Sequence, residues 1–315
     1  MTNRSSLPVA LLVSLAIPAI AGSARAAPVI VAPIPVHDHG LVATWYPPAS
    51  GHKGPAVIAL GGSEGGEEGG RYLGKSVAAL GYGVLSVAYF GADGLPANLQ
   101  EVPLEYFDRA FAWLVAQPLV DKKHIGIYGI SVGAETALLV ASRHPEIKAV
   151  VAAVPSSVVW QGINMRDYTS VKSTYSLAGK PVPYVPFDGG APFTSVLDLY
   201  QRSLAKPIAA DAVIPVEKIG GAILLLSSKD DKLWPSTMMA GQVIARLDAA
   251  HFKPPHQHVA YPDAGHGAMT PPSGDPKMAA LDNLGGTPAG NQAARMDMWP
   301  RVVNFFASSL GKASK

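Results

Sequence analysis

The feature that most constrains the fold is an alternation of short apolar runs with helical patterns between Ala56 and Val154. Continuous apolar runs are typical of strands buried on both faces, and apolar residues at helical spacing indicate amphipathic helices between them. This alternation predicts a mostly parallel sheet with helices on both faces. The predicted strands are residues 56–60, 84–89, 125–128 and 148–154, with a helix at 71–80 and another that begins near Pro103.

The third of these strands runs directly into Gly129-Ile130-Ser131-Val132-Gly133, and a helix is predicted at residues 134–141. A strand that becomes a helix so quickly needs a strained turn whose central residue has a positive φ. Glycines on either side remove Cβ atoms that would collide. The pattern predicts a nucleophile elbow that holds the Ser131 hydroxyl at a helix N-terminus, where developing negative charge is favoured. An ordinary strand-to-helix turn is the alternative.

A glycine-rich loop, Gly61-Gly62-Ser63-Glu64-Gly65-Gly66, follows the first strand. It lacks the Gly-Lys-Ser/Thr ending of a Walker phosphate loop and does not fit Gly-x-Gly-x-x-Gly. We expect an oxyanion hole made by backbone N–H groups near Ser63 and at Val132, each donor typically worth about 3–4 kcal/mol. A purely structural loop is the alternative.

Two further strands end in residues that suit acid–base chemistry. Residues 222–227 precede Asp230 and Asp231, and the last predicted strand, residues 258–261, precedes a loop that contains His266. The chain order Ser, Asp, His is the one that this sheet topology requires. His266 would act as the general base, and an aspartate would fix its tautomer and stabilise the imidazolium. The spacing after the strand favours Asp231 over Asp230, although both stay open.

Residues 155–215 interrupt the alternation and are rich in Pro, Gly, Tyr and Ser. A segment of this length is too long for a simple loop. We expect a cap over the site, with an apolar channel lined by Trp160, Tyr175, Tyr184 and Phe187. An insertion that packs elsewhere on the domain is the alternative.

The first 26 residues have the pattern of a signal peptide. Arg4 is followed by an apolar segment at 7–21 and by Ala24-Arg25-Ala26, with Ala27 as the expected mature start. The apolar segment is too short, and too interrupted by prolines, to span a bilayer well. We therefore expect residues 27–315 to form one domain that is periplasmic or secreted, without stable membrane insertion. An uncleaved anchor is the alternative.

Composition excludes several classes of protein. Apolar residues make up 48% of the chain and charged residues 15%, which excludes a disordered chain. The net charge is +2 without a basic stripe, so we expect no nucleic-acid partner. Cysteine is absent, which excludes disulfides and thiolate metal sites. His37 and His39 would share one face of an extended segment, but no third ligand is evident nearby, and we expect neither a metal nor a cofactor.

Several of these motifs together resemble the acyl-CoA thioesterases and bile acid-CoA:amino acid N-acyltransferases, in their C-terminal hydrolase domain. The resemblance covers most of residues 54–310. It implies an α/β-hydrolase fold, Ser131, Asp231 and His266 as a catalytic triad, and a thioester or related ester as substrate. The segments that carry it are residues 61–66, 100–108, 129–135, 180–184, 230–231 and 265–267.

The sequence therefore predicts a serine hydrolase that cleaves small acyl esters or thioesters through an acyl-enzyme. Because the nucleophile is Ser rather than the Cys of the amino-acid-conjugating members, water is the expected acceptor. The alternatives are a general carboxylesterase of the dienelactone-hydrolase kind, a non-catalytic binding protein on the same fold, and a metal-dependent hydrolase.

Overall fold

An eight-stranded sheet forms the centre of the computed structural model, which describes residues 32–167, 169–190, 192–273 and 283–313. The predicted signal peptide, residues 1–26, lies outside the described residues. In chain order the strands are β1 (Ile34–Asp38), β2 (Leu41–Tyr46), β3 (Gly54–Leu60), β4 (Gly83–Ala88), β5 (Val102–Pro103), β6 (Val120–Ile130), β7 (Ile147–Ala153), β8 (Tyr175–Leu177), β9 (Lys180–Pro181), β10 (Ala222–Ser228) and β11 (His256–Tyr261).

The order of strands in the large sheet is β1-β2-β4-β3-β6-β7-β10-β11. Strand β2 is antiparallel to both of its neighbours, and all other pairs are parallel. The mostly parallel sheet predicted from the apolar runs is confirmed. Every residue of β10 is buried, as expected for a strand covered on both faces. His37 lies in β1, the outermost strand of the sheet.

Helices cover both faces of the sheet, as the alternation predicted. They are α1 (Glu68–Ala78), α2 (Leu104–Ala116), α3 (Val132–Arg143), α4 (Val196–Leu204), α5 (Ser236–Ala249) and α6 (Pro288–Leu310). Apolar residues of α2, α3 and α5 pack in one core cluster, and those of α1 and α6 pack in the cluster on the opposite face. Helix α6 carries Met298, Val302 and Phe306 at a spacing of four residues, which places them on one face of the helix.

Residues 155–215 contain little regular structure apart from β8, β9 and α4. Strands β8 and β9 form a small three-stranded sheet with β5. The expected aromatic channel is wrong for two of its four residues, because Trp160 and Tyr175 are 2% and 0% exposed and belong to the core cluster of α2, α3 and α5. Tyr184 and Phe187 are partly buried against the same cluster. The buried rings of Trp160 and Tyr175 therefore stabilise this segment by packing in the core.

Candidate active site

The predicted site residues lie at the carboxyl ends of neighbouring strands. Ser63 comes after β3, Ser131 directly after β6, and Asp231 and His266 follow β10 and β11. Because these strands are parallel, their carboxyl ends share one edge of the sheet, where ligands bind in open α/β sheets. The fold therefore brings four distant segments of the chain to one place.

The turn at Ser131 has the strained geometry that the sequence predicted. Ser131 has φ 58° and ψ −126°, and α3 begins at the next residue. A Cβ added to Gly129 would lie 1.9 Å from the carbonyl oxygen of Gly133, and one added to Gly133 would lie 2.2 Å from that of Gly61. Both glycines are required because backbone atoms pass too close for any side chain. The turn holds Ser131 at the N-terminus of α3.

Three side chains form a continuous hydrogen-bonded series at this edge. The Nε2 atom of His266 lies 2.9 Å from the Oγ of Ser131. The Nδ1 atom of the same ring lies 2.9 Å from Oδ2 of Asp231 and 3.1 Å from its Oδ1. All three residues are buried. This arrangement has the geometry of a nucleophile, a general base and an orienting carboxylate.

The two adjacent aspartates have different surroundings. The Asp231 carboxylate accepts hydrogen bonds from the backbone N–H groups of Leu233 and Trp234 and from the Ser236 hydroxyl, in addition to the imidazole. The Asp230 carboxylate instead pairs with Lys232 and accepts the N–H of Gly286. The hydrogen bond from Lys232 is the main reason that the pKa of Asp230 lies below its usual range. Asp231 is therefore the aspartate in contact with His266.

Hydrogen bonds from α6 and β10 hold the loop that carries His266. The residues that make these bonds were not predicted as site residues from the sequence. The Gly265 N–H donates to the Asn291 side chain on α6 at 2.8 Å, and the Ser228 hydroxyl at the end of β10 donates to the Gly265 carbonyl at 2.7 Å. The Trp234 ring stands edge-on to the imidazole, with ring centroids 5.8 Å apart. No local pattern in the sequence connects these residues to His266, because each contact depends on the finished fold.

Backbone N–H groups for an oxyanion lie on both sides of Ser131. Val132 is the first residue of α3, so its N–H has no acceptor within the helix. On the other side, Gly62 is close to the nucleophile, since a Cβ added to Gly62 would lie 3.2 Å from that of Ser131. The Gly62 N–H donates to Oε1 of Glu64 at 3.0 Å, which leaves the Ser63 N–H as the candidate second donor. Burial raises the pKa of Glu64, while its backbone hydrogen bonds and nearby His266 oppose the rise.

A cavity of about 220 Å³ adjoins the predicted oxyanion loop. Its walls come from Ser63 and Glu64, from the segment that follows β4, and from the 155–215 insertion. The lining combines apolar Phe90, Leu99 and Ile163 with the more polar Asn98 and Arg166. A concave site with a mostly apolar lining and a few polar groups is the usual form of a small-molecule site.

A second carboxyl group is buried behind the nucleophile. Glu135, in the first turn of α3, is fully buried, and burial raises its pKa to about 8. Its Oε1 accepts the backbone N–H of Trp160 at 3.2 Å, while its Oε2 has no hydrogen-bond partner among the described residues. At neutral pH this group is therefore mainly an uncharged carboxylic acid that links α3 to the insertion.

The described part of the chain contains no group of three or more His, Cys, Asp or Glu side chains arranged to hold a metal ion. Among the helices within the described residues, none is both long and apolar enough to cross a bilayer.

The fold is that of the α/β hydrolases, and solved structures share it. A Mycobacterium tuberculosis puromycin-hydrolyzing peptidase matches 91% of this chain and 40% of its own, with a TM-score of 0.57 and 17% sequence identity. A dienelactone hydrolase-like promiscuous phosphotriesterase from metagenomic libraries matches 89% of this chain and 98% of its own, with a TM-score of 0.51 and 16% identity. At these identities the likeness establishes the fold alone.

Sequence similarity defines the family more closely. Residues 102–312 match the family described as BAAT / Acyl-CoA thioester hydrolase C terminal, and the chain belongs to that family, which confirms the resemblance seen in its motifs. Residues 8–183 also match the X-Pro dipeptidyl-peptidase (S15 family). Acyl-coenzyme A thioesterase 1 of Rattus norvegicus is 30% identical over 294 residues, which cover 89% of this chain. The chain spans only 66% of the length of that thioesterase.

Proposed function

We propose that this protein is a serine hydrolase that cleaves small acyl esters or thioesters through an acyl-enzyme. The observation that carries the proposal is the hydrogen-bonded series from Ser131 through His266 to Asp231, with both links at 2.9 Å. Membership of a family whose description includes acyl-CoA thioester hydrolases supports the same substrate chemistry. The strained turn at Ser131 adds support, because such strain persists where it presents a functional side chain.

Each residue of the series has a distinct role in the proposed reaction. Nε2 of His266 takes the proton of the Ser131 hydroxyl as its oxygen attacks the acyl carbonyl, and Asp231 stabilises the imidazolium that forms. The tetrahedral oxyanion accepts hydrogen bonds from the N–H groups of Ser63 and Val132. The intermediate then collapses, and His266 gives its proton to the departing alcohol or thiol. Water, activated by the same imidazole, hydrolyses the acyl-enzyme and releases the acid.

The substrate would occupy the cavity beside Ser63. Its volume of about 220 Å³ lies below the roughly 300–1,000 Å³ of pockets for drug-sized ligands, which favours a short acyl or leaving group inside it. Ile163 and Arg166 of the insertion contribute to its wall. In this proposal residues 155–215 act as a cap that borders the substrate.

The decisive experiment compares purified wild type with Ser131→Ala on matched ester and thioester pairs of increasing acyl length. We expect kcat/KM to fall by about 10⁵-fold or more, because removal of the nucleophile disables the whole triad. Ser142→Ala is the matched control on the same helix, where the hydroxyl only donates to the Leu139 carbonyl, and it should keep wild-type activity. A Ser131→Ala enzyme with most of its activity would contradict the proposal.

A fluorophosphonate probe separates an enzyme from a binding protein on the same fold. An adduct on Ser131 in the folded protein, absent from the Ser131→Ala variant, is expected of an activated serine. Absence of labelling in the folded wild type, together with no hydrolysis of either ester class, would favour binding without catalysis. The ratio of thioester to ester kcat/KM then distinguishes a thioesterase from a general carboxylesterase.

We also propose that the protein is exported with cleavage before Ala27. The support is the charged start at Arg4, the apolar segment at 7–21 and the small residues at positions 24 and 26. Intact-mass measurement on the protein recovered from the periplasm or medium should give a chain that starts at residue 27. Recovery only from the cytoplasm, with residues 1–26 retained, would overturn this assignment.

A further inference from the structure

The carbonyl groups of the glycine-rich loop are held by a buried tyrosine. The Tyr89 hydroxyl lies 2.7 Å from the carbonyl oxygen of Gly61 and 3.0 Å from that of Gly62. Tyr89 comes directly after β4 and is 3% exposed, so it approaches the loop from the core. Burial raises the pKa of its hydroxyl well above the usual value, and the group therefore remains a hydrogen-bond donor at any working pH.

The opposite side of the same loop is held by Glu64. Its Oε1 accepts the Gly62 N–H at 3.0 Å. The carboxylate fits into a space that only glycines leave open. A Cβ added at Gly61 or Gly69 would lie 2.5 or 1.6 Å from Oε1, and one at Gly62 would lie 2.9 Å from Oε2. The peptide group between Gly61 and Gly62 thus has its oxygen fixed by Tyr89 and its N–H fixed by Glu64.

The contact of the Tyr89 hydroxyl with the Gly62 carbonyl also orients the next peptide group, between Gly62 and Ser63. No peptide bond among the described residues is cis, so the Ser63 N–H points in the opposite direction to the Gly62 carbonyl. That carbonyl faces the buried Tyr89 hydroxyl, and the Ser63 N–H therefore faces away from the core. Gly62 lies beside Ser131, and Ser63 lines the adjoining cavity.

We propose that Tyr89 and Glu64 are positioning residues, which clamp the loop so that the Ser63 N–H is aimed at the oxyanion. This inference rests on the proposed hydrolase function and adds two side chains to it. A loop with glycines at 61, 62, 65 and 66 has wide conformational freedom, and a donor helps the transition state only if it is already oriented. Neither side chain needs to touch the substrate to act in this way.

The clamp predicts a specific kinetic signature. The oxyanion forms only in the transition state, so loosening its donor should lower kcat and leave KM nearly unchanged. Removal of a whole oxyanion donor typically costs about 10²–10³-fold in kcat, and misorientation of the donor should cost a part of that, about 10- to 100-fold. The variants to test are Tyr89→Phe, which removes only the hydroxyl, and Glu64→Ala.

Glu64→Gln provides the conservative rescue. Its amide oxygen can still accept the Gly62 N–H, so this variant should keep kcat within about threefold of wild type, far closer than Glu64→Ala. The matched controls are Tyr82→Phe and Glu146→Ala. The Tyr82 hydroxyl donates to the Gly311 carbonyl, and Glu146 precedes β7 at the opposite end of the sheet. Both controls should leave kcat unchanged.

A second variant displaces the Glu64 carboxylate without removing it. The methyl group of Gly69→Ala would occupy the position of Oε1, so this substitution should reproduce the fall in kcat of Glu64→Ala. Gly241→Ala is the control, because its added methyl group, also within a helix, meets no atom within 4 Å among the described residues outside its own turn of helix. Thermal unfolding and circular dichroism of each variant separate loss of the clamp from loss of the fold.

The outcomes for the clamp and for the hydrolase are distinguishable. An inactive Ser131→Ala with Tyr89→Phe, Glu64→Ala and Gly69→Ala all at wild-type kcat would overturn the clamp and keep the hydrolase. An active Ser131→Ala would overturn the hydrolase itself. A rise in KM with unchanged kcat in the folded clamp variants would also contradict the inference, because it would assign Glu64 or Tyr89 to substrate binding.

Discussion

At the scale of single residues, the surroundings of Asp231 and Asp230 define different roles for two adjacent carboxylates. Asp231 is enclosed by backbone N–H groups, a hydroxyl and the imidazole, whereas Asp230 faces Lys232 at the surface. A buried carboxylate with every oxygen engaged holds its partner ring in a single orientation. Substitution of Asp230 is therefore a matched control for the same substitution of Asp231.

We expect Asp231→Asn to lower kcat by about 10⁴-fold with little change in structure, because an amide favours the wrong imidazole tautomer. Asp230→Asn should stay within about threefold of wild type, since it removes the ion pair with Lys232 while its amide oxygen can still accept the Gly286 N–H. Steady-state kinetics on one ester substrate check both variants. A larger fall in kcat for Asp230→Asn would transfer the role of the acid to that residue.

Glu135 makes the protein less stable as the pH rises, because its pKa is higher in the folded protein than in the unfolded chain. Its pKa in the folded protein is about 8, compared with 4.5 for the free side chain. The unfolded chain releases this proton above pH 4.5 and the folded protein keeps it until about pH 8. The free energy of unfolding therefore falls progressively between pH 4.5 and about pH 8. Above pH 8 the contribution of Glu135 to it no longer changes. The neighbouring tyrosines Tyr89, Tyr175 and Tyr200 have raised pKa values and stay neutral through this range.

Glu135→Gln should remove this loss of stability, because the amide cannot ionise. Its oxygen can still accept the backbone N–H of Trp160. We expect the free energy of unfolding to rise by roughly 2–5 kcal/mol at pH 8 relative to wild type, and to change little at pH 4. Urea unfolding at pH 4, 6 and 8 measures the difference, with Glu146→Gln as an exposed control. Equal stability of Glu135→Gln and wild type at pH 8 would show that the carboxyl is not buried as described.

At the scale of elements, close backbone contacts constrain the junction of β6 and α3. Backbone atoms of the loop after β3 lie against Gly133, so the elbow and the oxyanion loop share one contact. A change at either element must therefore move the other.

Gly133→Ala should separate these two elements, because the new methyl group would lie 2.2 Å from the Gly61 carbonyl oxygen. Overpacking against backbone of this kind typically costs about 1–3 kcal/mol or more in stability. We expect a lower midpoint of urea unfolding and a loss of kcat greater than that of Gly69→Ala, whose new contact is with a movable side chain. Gly241→Ala again serves as the control, and equal midpoints for it and Gly133→Ala would contradict the argument.

Elements with strong local patterns were predictable, and elements defined by packing were not. The continuous apolar runs predicted β3, β4, β6, β7 and β10, and the predicted helix at 134–141 lies within α3 (Val132–Arg143). Helix α1 begins at Glu68 rather than at residue 71, because two glycines weaken the pattern of its first turn. Helix α6 was not predicted, since Pro300 lies inside it and apolar residues occupy only a narrow face.

At the scale of the whole molecule, the chain order of Ser131, Asp231 and His266 predicted which residues the fold brings together. It did so because sheet topology, rather than local sequence, places the ends of β6, β10 and β11 at one edge. The supporting contacts of Tyr89, Asn291 and Ser236 were not predictable, because each joins segments that are far apart and carry no motif. The packing of Trp160 against Tyr200, at 4.7 Å between ring centroids, is of the same kind.

The hydrogen bond between Gly265 and Asn291 has a consequence for biosynthesis. Asn291 belongs to α6, which is translated after the elbow, the Asp231 turn and the loop of His266. A nascent polypeptide that has already formed the elbow and the Asp231 turn still lacks the anchor that holds the imidazole loop in place. Reactivity of the serine should therefore appear only once α6 has been translated and has packed against the sheet.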